Sequence, residues 1–299
     1  MSVIKATLFT DPACPWAYSA NPALRVLEWR YGDQLDWRLV TIGLREDNSG
    51  LLASFKPERS VARYAVFHQL YGMPFSLVPK ERPAGTGRGC RAIVAARLLE
   101  PGSEWRALRA LALGNFTTPL LLDDTDLIRE ALRGVPGLDA DTIAGRIDSP
   151  EVVEAYELDK AEARTAAGTP ADAQEKTSTS DGPVRYTAPS VIFEQNGNRV
   201  VAGGWQHVLA YDVLLANLDP ELERRPAPES PAELLQQFPD GLVTAEVAEV
   251  IAESPDYVPD REGAEEWLAQ GVESGEVVRT PCGNDAIWRR ARAAGARAA

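Results

Sequence analysis

One cysteine stands where the sequence could form a reactive thiol. Cys14 lies between an apolar, β-branched run at residues 3–10 and the dipeptide Pro15-Trp16. Proline suits the first position of a helix, because it has no N–H to leave unpaired and its φ is already helical. The unpaired N–H groups and the dipole at a helix start lower the pKa of a thiol. We therefore expect Cys14 to be a nucleophile, supported by Pro15, Trp16 and Ala17.

A second candidate segment is Thr187-Ala188-Pro189, which directly precedes the β-rich run Ser190 to Glu194. If the fold brings this loop to Cys14, a cis bond before Pro189 would free the preceding backbone groups to pair with an extended substrate. The simpler interpretation of Pro189 is a proline at the start of a strand. The residues alone leave both interpretations open.

The other two cysteines, Cys90 and Cys282, are far from Cys14 and from each other. An odd number of widely spaced cysteines is not a disulfide framework and suits a reducing compartment. Cys90 begins a helical pattern and is either a core residue, the more common case, or a resolving thiol. Cys282 falls in a turn and is expected to be incidental.

Composition narrows the class of protein. The net charge of −13 and the pI near 4.8 argue against a broad attraction to nucleic acid or anionic lipid. No apolar run approaches the roughly 20 residues that span a bilayer, and the first residues lack a signal-peptide pattern, so we expect a cytoplasmic protein. His68 and His207 are the only histidines, and no Cys/His pair has zinc-ligand spacing, so no metal site is expected.

The order of elements predicts an α/β fold of the thioredoxin type. Residues 3–10 form a strand that ends at Asp11-Pro12, Pro15 to Tyr31 form a helix, and Leu35 to Ile42 form the next strand. Five helical patterns then fill an insertion at about residues 51–165: Val61 to Leu70, Ala92 to Leu99, Trp105 to Leu113, Asp126 to Leu132 and Pro150 to Ala163. A polar segment at about 166–185 is expected to be a mobile loop.

A hairpin and a helix complete this first domain, which we place at residues 1–218. Asn196-Gly197-Asn198 separates two β-rich runs, and Asn-Gly is the strongest short-range hairpin signal. A helix over Gln206 to Leu218 follows. The strand, helix, strand, helical insert, hairpin and helix order is the thioredoxin arrangement with an insertion.

The remaining residues predict a second, smaller domain. Residues 219–231 contain four prolines and mixed charges, as linkers do. Residues 232–299 show three helical patterns, Ala232 to Phe238, Thr244 to Glu253 and Gly263 to Val272, and then a hairpin around Gly283-Asn284, which indicates a winged-helix-like α+β domain. From residue 229 onward there are 14 acidic residues and 6 arginines, the wrong sign for phosphate contacts, so a packing, lid or dimerisation role is expected.

The segment from Phe9 to Tyr18, FTDPACPWAY, resembles the Asp-Pro-x-Cys-Pro-Trp-Cys-Tyr motif of the cytoplasmic, FrnE-like DsbA-family dithiol-disulfide isomerases. The helical insert, the segment Leu121 to Asp124 and the Ala188-Pro189 loop are also similar to that family. The resemblance therefore favours a substrate-binding role for Thr187-Ala188-Pro189 over a simple strand-start proline. Its relatives use glutathione or mycothiol and include the 2-hydroxychromene-2-carboxylate isomerases. The resemblance covers about residues 3–218 and implies a thioredoxin fold and thiol-disulfide chemistry at Cys14.

This sequence departs from the family motif at one position, because Ala17 stands where the second cysteine is found. The resemblance therefore implies a one-cysteine (CPWA) oxidoreductase or isomerase, in which a low-molecular-weight thiol, mycothiol or glutathione, resolves the adduct on Cys14. No tightly bound cofactor, nucleic acid or membrane is expected, the substrate would be a small thiol or disulfide, and a homodimer stays open. Two alternatives remain: a binding protein without turnover, and a thiol-cofactor-dependent small-molecule isomerase or transferase. Whether Ala17 is the natural residue is also open.

Overall fold

The computed structural model describes residues 3–180, 182–252 and 258–291. The helices and strands up to residue 218 are, in chain order, β1 (Ile4–Thr10), α1 (Pro15–Ser19), α2 (Asn21–Tyr31), β2 (Leu35–Thr41), α3 (Pro57–Tyr71), α4 (Gly87–Leu99), α5 (Ser103–Thr117), α6 (Thr125–Leu132), α7 (Ala140–Arg146), α8 (Pro150–Ala163), α9 (Pro170–Ala173), β3 (Thr177–Ser178), β4 (Arg185–Tyr186), β5 (Ser190–Gln195), β6 (Asn198–Gly203) and α10 (Val208–Leu218). A four-stranded sheet in the order β2-β1-β5-β6 lies at the centre. The predicted α/β thioredoxin fold with a helical insertion is confirmed.

Strand β1 is a central strand of the sheet, and nearly all of its residues are buried. It runs parallel to β2 and antiparallel to β5, so Leu8 lies opposite both Leu39 and Val191. The side chains of Ile4, Ala6 and Leu8 share a buried cluster with α2 and α10. Phe9 belongs to a different cluster, as the alternation of a strand requires. Helices thus cover both faces of the sheet.

The β5–β6 hairpin forms as its sequence predicts. Asn196 and Gly197 both have positive φ, 51° and 81°. A two-residue turn with left-handed backbone at both positions matches the twist of the two strands it joins. The turn thus pairs β5, the strand that follows the Thr187-Ala188-Pro189 loop, with β6.

The single helix expected from Pro15 to Tyr31 is wrong, because the chain forms α1 and α2 with a break at Ala20. Pro22 has no N–H to donate to the carbonyl of Tyr18, four residues earlier. The side-chain amide of Asn21 donates to that carbonyl instead, at 2.9 Å. The break leaves Cys14 at the start of a helix of only five residues.

The insertion contains six helices, α3 to α8, one more than the sequence patterns indicated. The additional one is α7, whose start is marked by Asp139: this carboxylate accepts a hydrogen bond from Thr142 N at 3.0 Å. In the part of the chain that the structure describes, no helix is both long enough and apolar enough to cross a bilayer.

The polar segment at 166–185, expected to be a mobile loop, contains regular structure. It includes α9 and one strand of the small β3–β4 ladder, which pairs Thr177 with Tyr186. Ala171 is fully buried and Arg185 is nearly so. The low apolar content concealed these elements, because a four-residue helix needs only one buried side chain to hold it.

The C-terminal unit consists of α11 (Pro231–Gln237), β7 (Leu242–Val243), α12 (Thr244–Ile251), α13 (Arg261–Glu273), β8 (Val277–Cys282) and β9 (Asp285–Arg290). Its sheet has the order β7-β9-β8, and the β8–β9 turn lies at Gly283-Asn284, as expected. Strand β7 was missed because two residues give no periodicity. The predicted helix end at Glu253 and the predicted domain end, residues 292–299, fall outside the described residues. The winged-helix assignment stays a prediction.

The C-terminal unit does not have a core of its own. Its buried Leu242 and Trp288 belong to the same cluster as Leu24 and Trp29 of α2. The linker is also held in place, since the Arg225 guanidinium lies 3.6 Å from the centre of the Trp29 ring and Trp29 Nε1 donates to Pro226 O at 2.8 Å. The proline-rich sequence therefore does not separate two independent bodies.

A buried ion-pair cluster holds α12 against the first domain. Glu246 is completely buried, and its carboxylate accepts hydrogen bonds from Arg109 of α5 at 2.8 Å and lies 3.5 Å from the Arg25 guanidinium of α2. It also accepts from Val243 N at 2.8 Å. Burial alone would raise the pKa of Glu246, but the Arg109 and Arg25 charges hold it below the ordinary value.

We expect Glu246→Ala to lower the free energy of unfolding by about 3–5 kcal/mol, because it leaves the buried Arg109 charge without its carboxylate. Urea denaturation measures this loss. The matched control is Glu162→Ala, which removes the exposed partner of Arg38 and should cost under about 1 kcal/mol. Equal losses for the two variants would show that the Glu246 cluster does not anchor the C-terminal unit.

Candidate active site

Cys14 lies in a tight turn between the sheet and α1. Its N–H donates to Asp11 O at 3.1 Å, and its own carbonyl accepts from Tyr18 N, so Cys14 is the N-cap of α1 with Pro15 at the first helical position. The side chain is only 6% exposed. The sequence around Cys14 therefore forms the strand-to-helix junction expected from it.

The loop before β5 lies directly against Cys14. Cys14 Sγ donates a hydrogen bond to Ala188 O at 3.1 Å, across 174 residues of chain. The Ala188–Pro189 peptide bond is cis. The register of β1 with β5, in which Phe9 pairs with Ser190, explains this contact. Because the two strands are antiparallel, the segment after β1 and the segment before β5 lie at the same end of the sheet.

The remaining predicted site residues are placed differently. Ala17 is buried beside Cys14, one turn along α1. Trp16 is 42% exposed, and its ring packs edge-on against Phe67 of α3 at 5.0 Å, so its aromatic contacts are with the insert. The Thr187 hydroxyl donates to Lys176 O at 3.0 Å, which occupies it within the polar segment.

The electrostatics of Cys14 are opposite to the expectation from its place at a helix start. Burial raises the pKa of the thiol to about 11, and the N–H groups of Ala17 and Trp16 only partly offset this, while the Asp11 charge raises it further. A helix of five residues offers few aligned peptide dipoles, and the Ala188-Pro189 loop excludes water from the sulfur. The free thiol is protonated at neutral pH.

Asp11 organises the junction, a role that its sequence pattern did not predict. Its buried carboxylate accepts from Ala13 N and Leu44 N, each at 2.9 Å, and from the Thr86 hydroxyl at 2.9 Å. A carboxylate directly after a strand and before Pro12 was the available signal. Asp11 thus joins the Cys14 turn to the segment that follows β2 and to the start of α4.

Cys90 is a core residue of α4. It is completely buried, its Sγ lies 3.5 Å from Asp11 Oδ2, and burial together with the Asp11 charge raises its pKa well above the ordinary value. Cys282 is 3.7 Å from the Thr117 hydroxyl, where β8 meets α5. Both thiols are buried, so neither is presented to an adduct on Cys14.

The histidines have local partners. His68 Nδ1 lies 2.9 Å from Met73 O, and His207 Nδ1 accepts from Leu209 N at the start of α10. Among the residues that the structure describes, no group of three or more His, Cys, Asp or Glu side chains is arranged to hold a metal ion.

A cleft of about 290 Å³ opens between the Cys14 turn and the helical insert. We call it the insert cleft; Ala13, Pro15 and Leu44 line its core side, and its charged lining residues are Arg45, Arg63, Lys80 and Arg82. None of its lining residues is acidic. A cleft lined by cations, with apolar residues between them, suits a small anionic ligand.

The four cations of the insert cleft differ in their partners. Arg82 forms a two-bond pair with Asp123, at 2.7 and 2.9 Å. Lys80 Nζ donates to Asn115 Oδ1 at 2.7 Å and to a backbone carbonyl, and burial lowers its pKa to about 7. Within the described residues, Arg45 and Arg63 form no ion pair. These two guanidiniums are available to a ligand.

A family model described as the DsbA-like thioredoxin domain matches residues 6–176, more than half of the chain. The chain belongs to the DsbA-like thioredoxin family. Its fold is similar to a proposed protein disulfide isomerase from Nitrosomonas europaea, with a TM-score of 0.56 and 16% identity over 72% of this chain and 97% of that one. It is also similar to a proposed DsbA oxidoreductase from Streptomyces coelicolor, with a TM-score of 0.54 and 17% identity over 75% and 93%. No curated protein matches the chain.

The family model and the two solved structures agree with the predicted thioredoxin-type fold. At 16–17% identity these solved structures indicate the fold alone. The C-terminal unit lies beyond the end of the family model, at residue 176. The chemistry of the Cys14 site follows from the geometry of this chain.

We expect the alkylation rate of Cys14 to rise about tenfold per pH unit between pH 7 and 10, because the reactive thiolate grows in proportion until the pH reaches the thiol pKa of about 11. Peptide mass spectrometry after timed iodoacetamide treatment follows Cys14 separately from Cys90 and Cys282. Denatured protein is the control and should level off near the free-thiol pKa of about 8.5. A plateau below pH 8 in the native protein would contradict the raised pKa.

Proposed function

We propose that this DsbA-like protein catalyses thiol-disulfide exchange through Cys14 alone, with a carboxylate-bearing low-molecular-weight thiol in place of a second protein cysteine. The observation that carries this proposal is the 3.1 Å hydrogen bond from Cys14 Sγ to Ala188 O. Because the sulfur lies against the backbone of this loop, a disulfide substrate that displaces the hydrogen bond would meet both the thiol and the backbone groups of Ala188.

The absence of an internal resolving thiol supports the use of a soluble one. Ala17 places a methyl group where a partner sulfur would lie, one helical turn from Cys14. The other two thiols of the sequence are buried, Cys90 against Asp11 and Cys282 against Thr117. A mixed disulfide on Cys14 is therefore best resolved by a thiol that enters from solution.

The proposed cycle has two exchange steps. The Cys14 thiol first loses its proton to solvent, and the thiolate attacks one sulfur of a substrate disulfide, so a Cys14 mixed disulfide forms and the other sulfur leaves as a thiolate. The thiolate of the soluble thiol then attacks the mixed disulfide on the substrate sulfur, which releases Cys14 and a new disulfide. Each step forms one S–S bond and breaks one, and no external oxidant is required.

The insert cleft supports the choice of thiol. It borders the Cys14 turn at Ala13 and Pro15 and offers the unpaired guanidiniums of Arg45 and Arg63. Arginine holds carboxylates with two parallel hydrogen bonds, so a peptide thiol such as glutathione fits this lining better than an uncharged sugar thiol such as mycothiol. The volume of the insert cleft, about 290 Å³, is near the lower end of the range for small-molecule sites, about 300–1,000 Å³.

One observation favours a second candidate function, a binding protein without turnover. With a pKa of about 11, roughly one Cys14 in ten thousand is ionised at pH 7, so the resting thiol is a weak nucleophile. In that case the same cleft and loop would hold a ligand while the sulfur stays reduced. The two candidates differ in whether a substrate disulfide ever becomes bonded to Cys14.

We expect the protein to reduce a small dialkyl disulfide in the presence of glutathione, and Cys14→Ser to abolish this turnover. Ala17→Cys should add turnover with a dithiol reductant in the absence of glutathione, because the second thiol resolves the mixed disulfide internally. The coupled consumption of NADPH by glutathione reductase measures the first activity. If glutathione binds and yet no mixed disulfide with Cys14 is detected at any pH up to 10, the binding-protein candidate replaces the proposal.

We expect Arg45→Ala and Arg63→Ala each to raise the KM for glutathione about tenfold with little change in kcat, because each removes one charge-assisted contact to a carboxylate remote from the sulfur. The matched control is Arg59→Ala, an exposed arginine on the same helix as Arg63 that does not line the insert cleft. Equal KM values for all three variants would show that the thiol does not bind in this cleft.

A further inference from the structure

A second cleft, larger than the insert cleft, opens between the helical insert and the C-terminal unit. It has a volume of about 760 Å³ and shares no lining residue with the insert cleft. We call it the arginine cleft, because its charged lining residues are Arg106, Arg109, Arg133, Arg289, Arg290 and Asp240. The chain as a whole carries a net charge of −13, so this concentration of guanidiniums is against the general composition.

Arg289 has the fewest partners of the arginines in the arginine cleft. Arg289 is half-buried on β9, and among the described residues its guanidinium forms neither a hydrogen bond nor an ion pair. Its neighbours are better supplied, since Arg109 pairs with Glu246 and Arg290 donates to Gln236 Oε1 at 2.8 Å. Burial and the nearby Arg109 charge lower the pKa of Arg289, and the Asp240 charge offsets this only in part.

The other arginines leave further donors unused. Arg109 is almost completely buried, and its Nε–H has no hydrogen-bond partner within the described part of the chain. Asp240 is the single carboxylate of the lining and lies 3.6 Å from the Arg106 guanidinium. Arg109 and Arg133 have carboxylate partners outside the lining, Glu246 and Glu130. Among the described residues Arg289 and Arg290 form no ion pair, so the lining keeps an excess of positive charge.

Between the arginines the walls are apolar. Leu113, Ala131 and Val135 of the insert face Leu235 and Ile287 of the C-terminal unit across the cleft. Arginine forks match phosphate and carboxylate oxygens, and apolar walls bind the ring or chain that carries them. We propose that the arginine cleft binds a small organic polyanion, with phosphate or carboxylate groups attached to an apolar body.

The surroundings favour a small ligand over nucleic acid. The exposed face of α13 carries Glu262, Glu265 and Glu266, so a long polyanion that left the cleft across this helix would meet negative charge. The cleft volume also lies within the range of small-molecule sites, about 300–1,000 Å³. This inference does not depend on the thiol chemistry proposed for Cys14.

Calorimetric titration of the full chain at low ionic strength tests the proposal with ADP, pyrophosphate, citrate and adenosine as probes. ADP should bind at least about tenfold more tightly than adenosine, because adenosine lacks the charges that the arginines recognise. Comparison of pyrophosphate with citrate distinguishes a phosphate from a carboxylate ligand. If none of the three anions binds at millimolar concentration, or a single-stranded oligonucleotide binds much more tightly than ADP, the proposal is wrong.

Two variants on opposite walls locate the site. Arg289→Ala and Arg133→Ala should each weaken binding of the preferred anion about tenfold. Arg279→Ala is the matched control, since Arg279 lies on the same hairpin as Arg289 but contacts Glu265 and the Trp288 ring outside the cleft lining. Arg289→Ala should not lower the melting temperature, because it removes an unpaired, half-buried charge. Wild-type affinity in both cleft variants would overturn the inference.

Discussion

Strand β1 pairs with two strands at once, and the position of Cys14 follows from that arrangement. Its parallel partner β2 follows within the same βαβ unit, whereas its antiparallel partner β5 arrives only after the whole helical insert. The β1–β5 register places the loop containing Ala188 over the turn that begins at Asp11. Asp11 then secures this turn through hydrogen bonds from the backbone and from Thr86 at the start of α4. The site thus depends on pairing between segments that are far apart in sequence.

The same arrangement sets the chemistry of the thiol. A helix start favours a thiolate, but the Ala188-Pro189 loop that brings substrate-binding backbone to Cys14 also removes water from its sulfur. Desolvation outweighs the N–H groups of Trp16 and Ala17, so the thiol keeps its proton. A substrate that displaces the Ala188 contact also changes the charges around the sulfur. The insert cleft beside Cys14 supplies cations that can hold an anionic substrate.

The C-terminal unit is an integral part of the fold. Glu246 is buried between arginines of α2 and α5, and Trp288 donates to Thr244 beneath it, so the unit shares a core with the first domain. This docking creates the second wall of the arginine cleft. Charge counts along residues 229–299 indicated an acidic unit without affinity for phosphates, but they average over a surface on which Arg289 and Arg290 lie on one side and the glutamates of α13 on another.

Local signals in the sequence determined the longer strands, the Asn196-Gly197 turn, most helices and the place of Cys14 at a strand-to-helix junction, because each depends on neighbouring residues. They did not reveal the break at Ala20, the short elements within residues 166–185 or the shared core of the C-terminal unit. Tertiary structure alone decided the pKa of Cys14, the hydrogen-bond network around Asp11 and the two cation-lined clefts. The physical reason is that solvation and charge pairing depend on which distant segments meet, whereas helix, strand and turn preferences are encoded within a few residues.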